Sequence, residues 1–252
     1  MKNFKYGNRY RNNVKWWHNK MTICIASLCG IEISNPDRPS PAIVFCADRL
    51  ITSSVEFEHG NAKIKYIENR AIIMEAGDGS LSDLIIDKDF IDSSIQELNV
   101  REIAEMIENK IRRLRLNKVE HICSKYGLSR NVFTIKSADT HPSIITSVLQ
   151  EIALSDFNSG LAFIVAGLDK DGIPQLFVVS SERGIECYNS VGFIAIGSGA
   201  DLSLIELTKS IPRPTMPISE ALLRVYGAKK NAERVAGVGK LTDLGFLYLT
   251  KT

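Results

Sequence analysis

Thr22, Asp48 and Lys63 each stand at the edge of a short apolar run, and together their side chains could carry acyl-transfer chemistry. A threonine hydroxyl is a poor nucleophile at neutral pH and works only beside a base. If Thr22 is the first residue of the working chain, its own α-amine is that base, with an unperturbed pKa of about 7.7–8.0. That value lies close to working pH, where a general base is most effective. An ammonium from Lys63 would favour the neutral amine and stabilise a developing alkoxide, and Asp48 would hold Lys63 charged and oriented. The backbone N–H of Gly77 could donate to a tetrahedral oxyanion, a contribution of about 2.7–4 kcal/mol where comparable donors have been removed. Glycine suits such a place because a ligand can approach its backbone closely. Taken singly, each residue also has an ordinary reading. Thr22 is one more β-branched strand residue, Asp48 with Arg49 a turn ion pair, and Lys63 a solvated strand end. Gly77 is a positive-φ turn and Ser198 a helix N-cap.

The elements that must position these residues are legible as runs. Residues 22–29 (TICIASLC) and 42–47 (AIVFCA) are short, apolar and β-branched, as strands buried on both faces are. Residues 30–41, with Gly30, Pro36, Pro39 and Pro41, read as a loop between them. A hairpin is expected over 63–67 and 70–74, turning at Glu68–Asn69. Gly77-Asp-Gly-Ser80 then breaks the strands. A helix capped by Ser80 or Ser82 is expected to carry Leu84, Ile85, Ile91 and Ile95. A second begins near Val100, with Ile103, Met106, Ile107, Ile111 and Leu114 at helical spacing. Its Arg112, Arg113, Arg115 and Lys118 read as a solvated face. Strands follow at 161–166, 175–179 and 193–196, with a turn at Asp169–Gly172. Gly197-Ser198-Gly199 leads into a helix holding Leu202, Leu204, Ile205 and Leu207. A further helix over roughly 217–234 and a strand over 244–249 complete the order. Strands flanking paired helices predict two stacked antiparallel sheets covered by helices on both sides.

Composition narrows the function classes. The chain has 252 residues, 44% hydrophobic and 24% charged, an ordinary balance for a globular protein with one sizeable core. No apolar run approaches the ~18–20 residues of a membrane span, and residues 1–20 lack the apolar stretch of a secretory signal. Those residues carry six of the 31 Lys and Arg and no acid, leaving 25 basic against 29 acidic side chains beyond them. The positive charge therefore belongs to the leader, and no basic face argues for nucleic acid. The cysteines (24, 29, 46, 123 and 187) are odd in number and form no Cys-x-x-Cys pair, which reads as buried free thiols in a reducing, cytoplasmic setting. His18, His59, His121 and His141 are scattered, so neither a metal site nor a cofactor is expected.

Several short segments in order carry a resemblance: Met-Thr22-Ile-Cys-Ile-Ala, Cys-Ala-Asp48-Arg-Leu-Ile-Thr52, Gly60-Asn-Ala-Lys63-Ile-Lys-Tyr-Ile, Ala76-Gly77 and Ala-Ile-Gly-Ser198-Gly-Ala. Val165-Ala-Gly-Leu-Asp169 followed by Gln175-Leu-Phe-Val adds to them. From about residue 21 to 250 the chain resembles proteasome β-type subunits and their HslV-like and Anbu-like bacterial relatives, N-terminal-nucleophile (Ntn) hydrolases. The resemblance implies an α/β (α+β) fold, a four-layer αββα sandwich of two antiparallel sheets covered by helices. It further implies that Thr22 is the nucleophile, Asp48 and Lys63 its acid and lysine partners, Gly77 the oxyanion glycine and Ser198 the supporting serine. Glu233 is its candidate for a second, late acidic residue.

The resemblance also implies a threonine-type endopeptidase in a self-compartmentalised homo-oligomeric ring, acting on peptides or unfolded proteins. The ring is either HslV-like with an ATPase partner or Anbu-like without one. A non-catalytic subunit of the same fold, or an Ntn amidohydrolase acting on small amides, are the alternatives. Residues 1–21 are expected to be a disordered leader, a propeptide or a mis-assigned start, with 22–252 as a single domain. Met21 stands where family propeptides end in glycine. Thr22 is then freed either by self-cleavage or by translation from Met21 followed by methionine removal. The loop between the first two strands is about ten residues longer than usual for the family, and Leu50 replaces a residue that is basic in many relatives.

Overall fold

The computed structural model describes residues 22–31, 40–52, 56–58, 63–68, 70–87, 90–91, 94–129, 141–155, 161–210 and 213–249. The leader expected over 1–21 and the tip of the loop between the first two strands lie outside the described residues.

Strands β1 (Cys24–Ile31) and β2 (Ser40–Asp48) pair antiparallel, Cys24 opposite Ala47 and Ile31 opposite Ser40. With β10 (Phe193–Ile196) and β11 (Thr242–Tyr248) they make a four-stranded sheet in the order β10-β1-β2-β11. A second sheet holds β5 (Ile64–Ile67), β6 (Ala71–Ala76), β7 (Ala162–Leu168), β8 (Pro174–Ser180) and β9 (Gly184–Cys187) in sequence order, every pair antiparallel. A small hairpin, β3 (Leu50–Thr52) with β4 (Glu56–Glu58), sits between β2 and β5 in the chain.

Period-two alternation sorts the apolar side chains into three cores. Cys24, Ala26, Leu28, Ile43, Phe45 and Ala47 face Ile72, Met74, Ile164 and Ala166 between the two sheets. The opposite face of the four-stranded sheet (Ile23, Ile25, Val44, Cys46, Ala195) is covered by helices α4 (Ala200–Ser210) and α5 (Ile218–Ala232). The outer face of the other sheet (Ile73, Phe163, Val165, Phe177, Val179) lies under Ile85 of α1 (Gly79–Ile85) and the long α2 (Val100–Lys125). The expected helix–sheet–sheet–helix sandwich is what the chain forms. Strands buried on both faces explain why β1, β2 and β7 read as continuous apolar runs rather than as alternation.

Several elements differ from the sequence expectation. The helix expected to reach Ile95 stops at Ile85. Its cap is Asp78, whose side chain accepts from the Ser80 N–H, rather than Ser80 or Ser82. Ile95 instead lies in a 3-10 turn, Ser94–Glu97, and still enters the core under α2. An unforeseen helix, α3 (Pro142–Leu154), packs Val148 and Ile152 on Ile122 and Cys123 at the far end of α2. Strand β9 and the β3–β4 hairpin lie outside the expected strands, and β1 runs on through Gly30 to Ile31. All five cysteines are free thiols, four of them buried. Among the described residues no helix is long and apolar enough to cross a membrane, and no group of three or more His, Cys, Asp or Glu side chains could hold a metal ion.

Candidate active site

The ends of three strands and one turn converge on Thr22. Thr22 enters β1, Asp48 closes β2, Lys63 precedes β5 and Ser198 lies in the turn before α4. The antiparallel register of β1 and β2 sets Ile23 across from Asp48, and the Asp48 N–H donates to the Ile23 carbonyl at 3.1 Å. Asp48 is fully buried and therefore needs every lone pair met. Its Oδ1 accepts from Thr22 Oγ1 (2.7 Å), the Ile23 N–H (3.0 Å) and Lys63 Nζ (2.7 Å). Its Oδ2 accepts from the N–H groups of Leu50 (3.3 Å) and Gly239 (2.8 Å). Lys63 Nζ also hydrogen-bonds Thr22 Oγ1, so hydroxyl, ammonium and carboxylate form a closed triangle.

Ser198 completes the frame around the Thr22 backbone. The Thr22 N–H donates to Ser198 Oγ at 3.2 Å, and the Thr22 carbonyl accepts from the Gly199 N–H at 3.3 Å. The turn approaches so closely that a Cβ on Gly197 would stand 2.3 Å from the Thr22 carbonyl oxygen, and Gly197 has φ +100°. Glycine at 197 is therefore a steric requirement of the site. Gly77 follows β6 with φ +116°. The Glu75 N–H donates to the Lys63 carbonyl at 3.2 Å, and Cys24 Sγ donates to the Glu75 carbonyl at 3.3 Å. The first bond ties Lys63, ahead of β5, to the end of β6, and the second ties the start of β1 to it, with Gly77 two residues beyond Glu75.

Of the six residues singled out from the sequence, four (Thr22, Asp48, Lys63 and Ser198) are joined by direct hydrogen bonds. Gly77 lies at the same sheet end. Glu233 lies elsewhere: its carboxylate accepts from Lys229 Nζ (2.5 Å) and Lys230 Nζ (2.8 Å), on the helix side of the four-stranded sheet. The turn ion pair of Asp48 with Arg49 does not form. Asp48 takes Lys63, and Arg49, just past the end of β2, donates through Nε to Asp243 Oδ1 of β11 at 2.8 Å. Sequence reasoning missed Gly239, which donates to Asp48, and Glu75.

Burial pushes the Cys24 thiol well above its ordinary range, with the nearby Lys63 ammonium only partly opposing it. Cys24 is thus held as a neutral thiol, which is not the nucleophilic form. Burial also raises the Glu75 carboxyl, against the opposing pull of a hydrogen bond from Ser82 and of Lys65 at 3.8 Å. A carboxyl raised by folding binds more protons in the native than in the unfolded chain. Its contribution to stability is therefore full below the unfolded carboxyl pKa of about 4.3 and is lost as pH rises through the folded value. Glu75→Gln keeps an acceptor for Ser82 and removes the charge. The variant is expected to have a higher urea midpoint than the wild type at pH 7, with the difference vanishing near pH 4. A midpoint that falls equally at both pH values contradicts this assignment.

No protein-family profile and no curated protein matches the sequence. Among solved structures, an Anbu mutant from Hyphomicrobium sp. strain MC1 superposes with a TM-score of 0.57 at 15% identity, covering 88% of this chain and 79% of that one. Anbu from Yersinia bercovieri, described as an ancestral beta-subunit, gives 0.60 at 12% identity, covering 90% of this chain and 81% of that one. The chain therefore has the fold of the Anbu proteins, the proteasome-like sandwich that its own sequence resembles.

Proposed function

We propose that the chain is a threonine-type amide hydrolase, a peptidase in which Thr22 becomes the nucleophile once residues 1–21 are removed. One observation carries this reading: the Thr22 hydroxyl is bonded to both Lys63 and the buried Asp48. A structural threonine at a strand entry needs neither partner, whereas a hydroxyl that must become an alkoxide needs a fixed cation beside it.

In this reading the freed Thr22 amine takes the hydroxyl proton, and Oγ1 attacks the amide carbonyl. The carbonyl oxygen, now negative, accepts from the Gly77 N–H. Collapse expels the amine, which leaves with the proton held by the Thr22 nitrogen, and an ester on Oγ1 remains for water to hydrolyse. Lys63 keeps the Thr22 amine neutral through charge repulsion and stabilises Oγ1 as it loses its proton. Asp48 holds Lys63 in place through their 2.7 Å pair. Ser198 Oγ, already 3.2 Å from the Thr22 nitrogen, orients the amine. The fold shared with a protein described as an ancestral beta-subunit supports a homo-oligomer that encloses the site, working in the cytoplasm on peptides or unfolded chains.

The reading requires a free amine on Thr22. Intact-mass measurement and N-terminal sequencing of the protein purified from its native cells are expected to show a chain that begins at Thr22. That chain is expected to turn over fluorogenic peptides. A native protein that retains residues 1–21 leaves Thr22 without its base and removes the peptidase reading, with the non-catalytic subunit left in its place.

A further inference from the structure

We propose that Lys229 is a positioning residue for the Thr22 site, acting with Glu233 through the turn between α5 and β11. Lys229 is fully buried on the sheet-facing side of α5. An ammonium in such a place is tolerated only with its donors met, and here all three are used. They go to Glu233 Oε1 (2.5 Å), the Gly239 carbonyl (2.8 Å) and the Lys240 carbonyl (2.9 Å). Glu233 follows four residues later at the end of the same helix, and Lys230 holds its other oxygen at 2.8 Å. The carboxylate therefore anchors Lys229, and Lys229 grips the turn.

Gly239 passes that grip on. While its carbonyl is held by Lys229, its N–H donates to Asp48 Oδ2 at 2.8 Å. There is no slack in the contact. A Cβ at Gly239 would lie 2.7 Å from Leu50 Cβ, 2.9 Å from Leu50 N and 3.1 Å from Asp48 Oδ2. A carboxylate is planar, so fixing Oδ2 fixes the direction of Oδ1, the atom that holds Thr22 and Lys63. The path from Glu233 through Lys229 and Gly239 to Asp48 is four residues long, and each link in it is a hydrogen bond or a covalent backbone. Glu233 thus bears on the site without touching it.

The kinetic arm of the test rests on the Thr22 reading, and the exchange arm does not. In a chain beginning at Thr22, Lys229→Met keeps the aliphatic volume and removes all three donors. Its kcat for peptide hydrolysis is expected to fall about 100-fold, the cost of a misplacement on the order of 1 Å at a reacting centre. KM is expected to stay within about threefold, because Lys229 meets no substrate. The Gly239 amide, followed by hydrogen exchange, is expected to lose its protection while the strands β1 and β7 keep theirs. Lys229→Arg, which retains donors, restores most of kcat. A double variant with Glu233→Gln is no slower than Lys229→Met alone, since both act through one tether. If Lys229→Met does not fold, Glu233→Gln alone is expected to show the same pattern of exposed Gly239 amide, lowered kcat and steady KM. Wild-type protection at Gly239 in the folded variant overturns the proposal. So does a fall in kcat matched by a uniform loss of protection across the strands, which marks general loosening. A wild type that hydrolyses no peptide defeats the Thr22 reading alone, and the exchange result still decides the tether.

Discussion

In a chain beginning at Thr22, the Thr22→Ala variant folds as the wild type does and loses peptide hydrolysis by about 10⁴-fold or more, the scale seen when a nucleophile that works as part of a unit is removed. The fold survives because Thr22 lies before β1, whose ladder runs from Cys24 to Ile31. The backbone bonds of residue 22 to Ser198 and Gly199 do not use its side chain. Asp48 Oδ1 loses one donor of three and keeps Lys63 and the Ile23 N–H, so the stability cost is about 1 kcal/mol. Thr22→Ser keeps the hydroxyl and is expected to retain a measurable share of the activity. A covalent adduct from a mechanism-based acylating reagent should appear on residue 22 by mass spectrometry in the wild type and be missing in Thr22→Ala. Undiminished turnover by Thr22→Ala would take Thr22 out of the mechanism.

How far the site could be read before the fold depends on the range of each interaction. Thr22, Asp48 and Lys63 mark the ends of three apolar runs, and a strand end is a local property of sequence. Ser198 sits in a Gly-Ser-Gly turn before a helix, which is equally local. Glu233 rests on the resemblance alone, which implies a late acidic residue, and its partners are its own helix neighbours Lys229 and Lys230. Gly239 carries no local signal at all, because the closeness of Leu50 and Asp48 that forbids a side chain there is a tertiary fact.

Lys229 did leave a trace. The buried residues of α5 are Ala221, Val225, Ala228, Lys229 and Ala232, a stripe at helical spacing. A lysine four residues after Val225 and three before Ala232 therefore falls on the apolar face, where an ammonium must find partners. Strand β9 and helix α3 carry weak sequence patterns for another reason. Strand β9 has four residues, none of them fully buried, so no alternation marks it. Helix α3 buries only Val148 and packs on the outer end of α2, so its apolar residues show no clean face.

Asp48→Asn, isosteric as it is, is expected to destabilise the protein nearly as much as Asp48→Ala. All five hydrogen bonds at the Asp48 carboxylate come from donors: a hydroxyl, an ammonium and three backbone N–H groups. An amide has only one acceptor oxygen. If that oxygen faces Thr22, Ile23 and Lys63, the NH₂ meets the N–H groups of Leu50 and Gly239, donor against donor. If it is flipped, the NH₂ meets the Lys63 ammonium. Either way the Lys63 side chain, only 12% exposed, loses the charge that balances it. Breaking a buried pair from one side costs about 3–5 kcal/mol, and the two orphaned N–H groups add about 1–3 kcal/mol each at most. The urea midpoints of Asp48→Asn and Asp48→Ala should therefore fall together, well below that of Thr22→Ala. Peptide hydrolysis should be lost in both, because Lys63 no longer has a fixed position beside Oγ1. An Asp48→Asn variant as stable as the wild type would mean that Lys63 is not paired with residue 48 in the folded chain. The triangle on which the Thr22 alkoxide depends would then not exist.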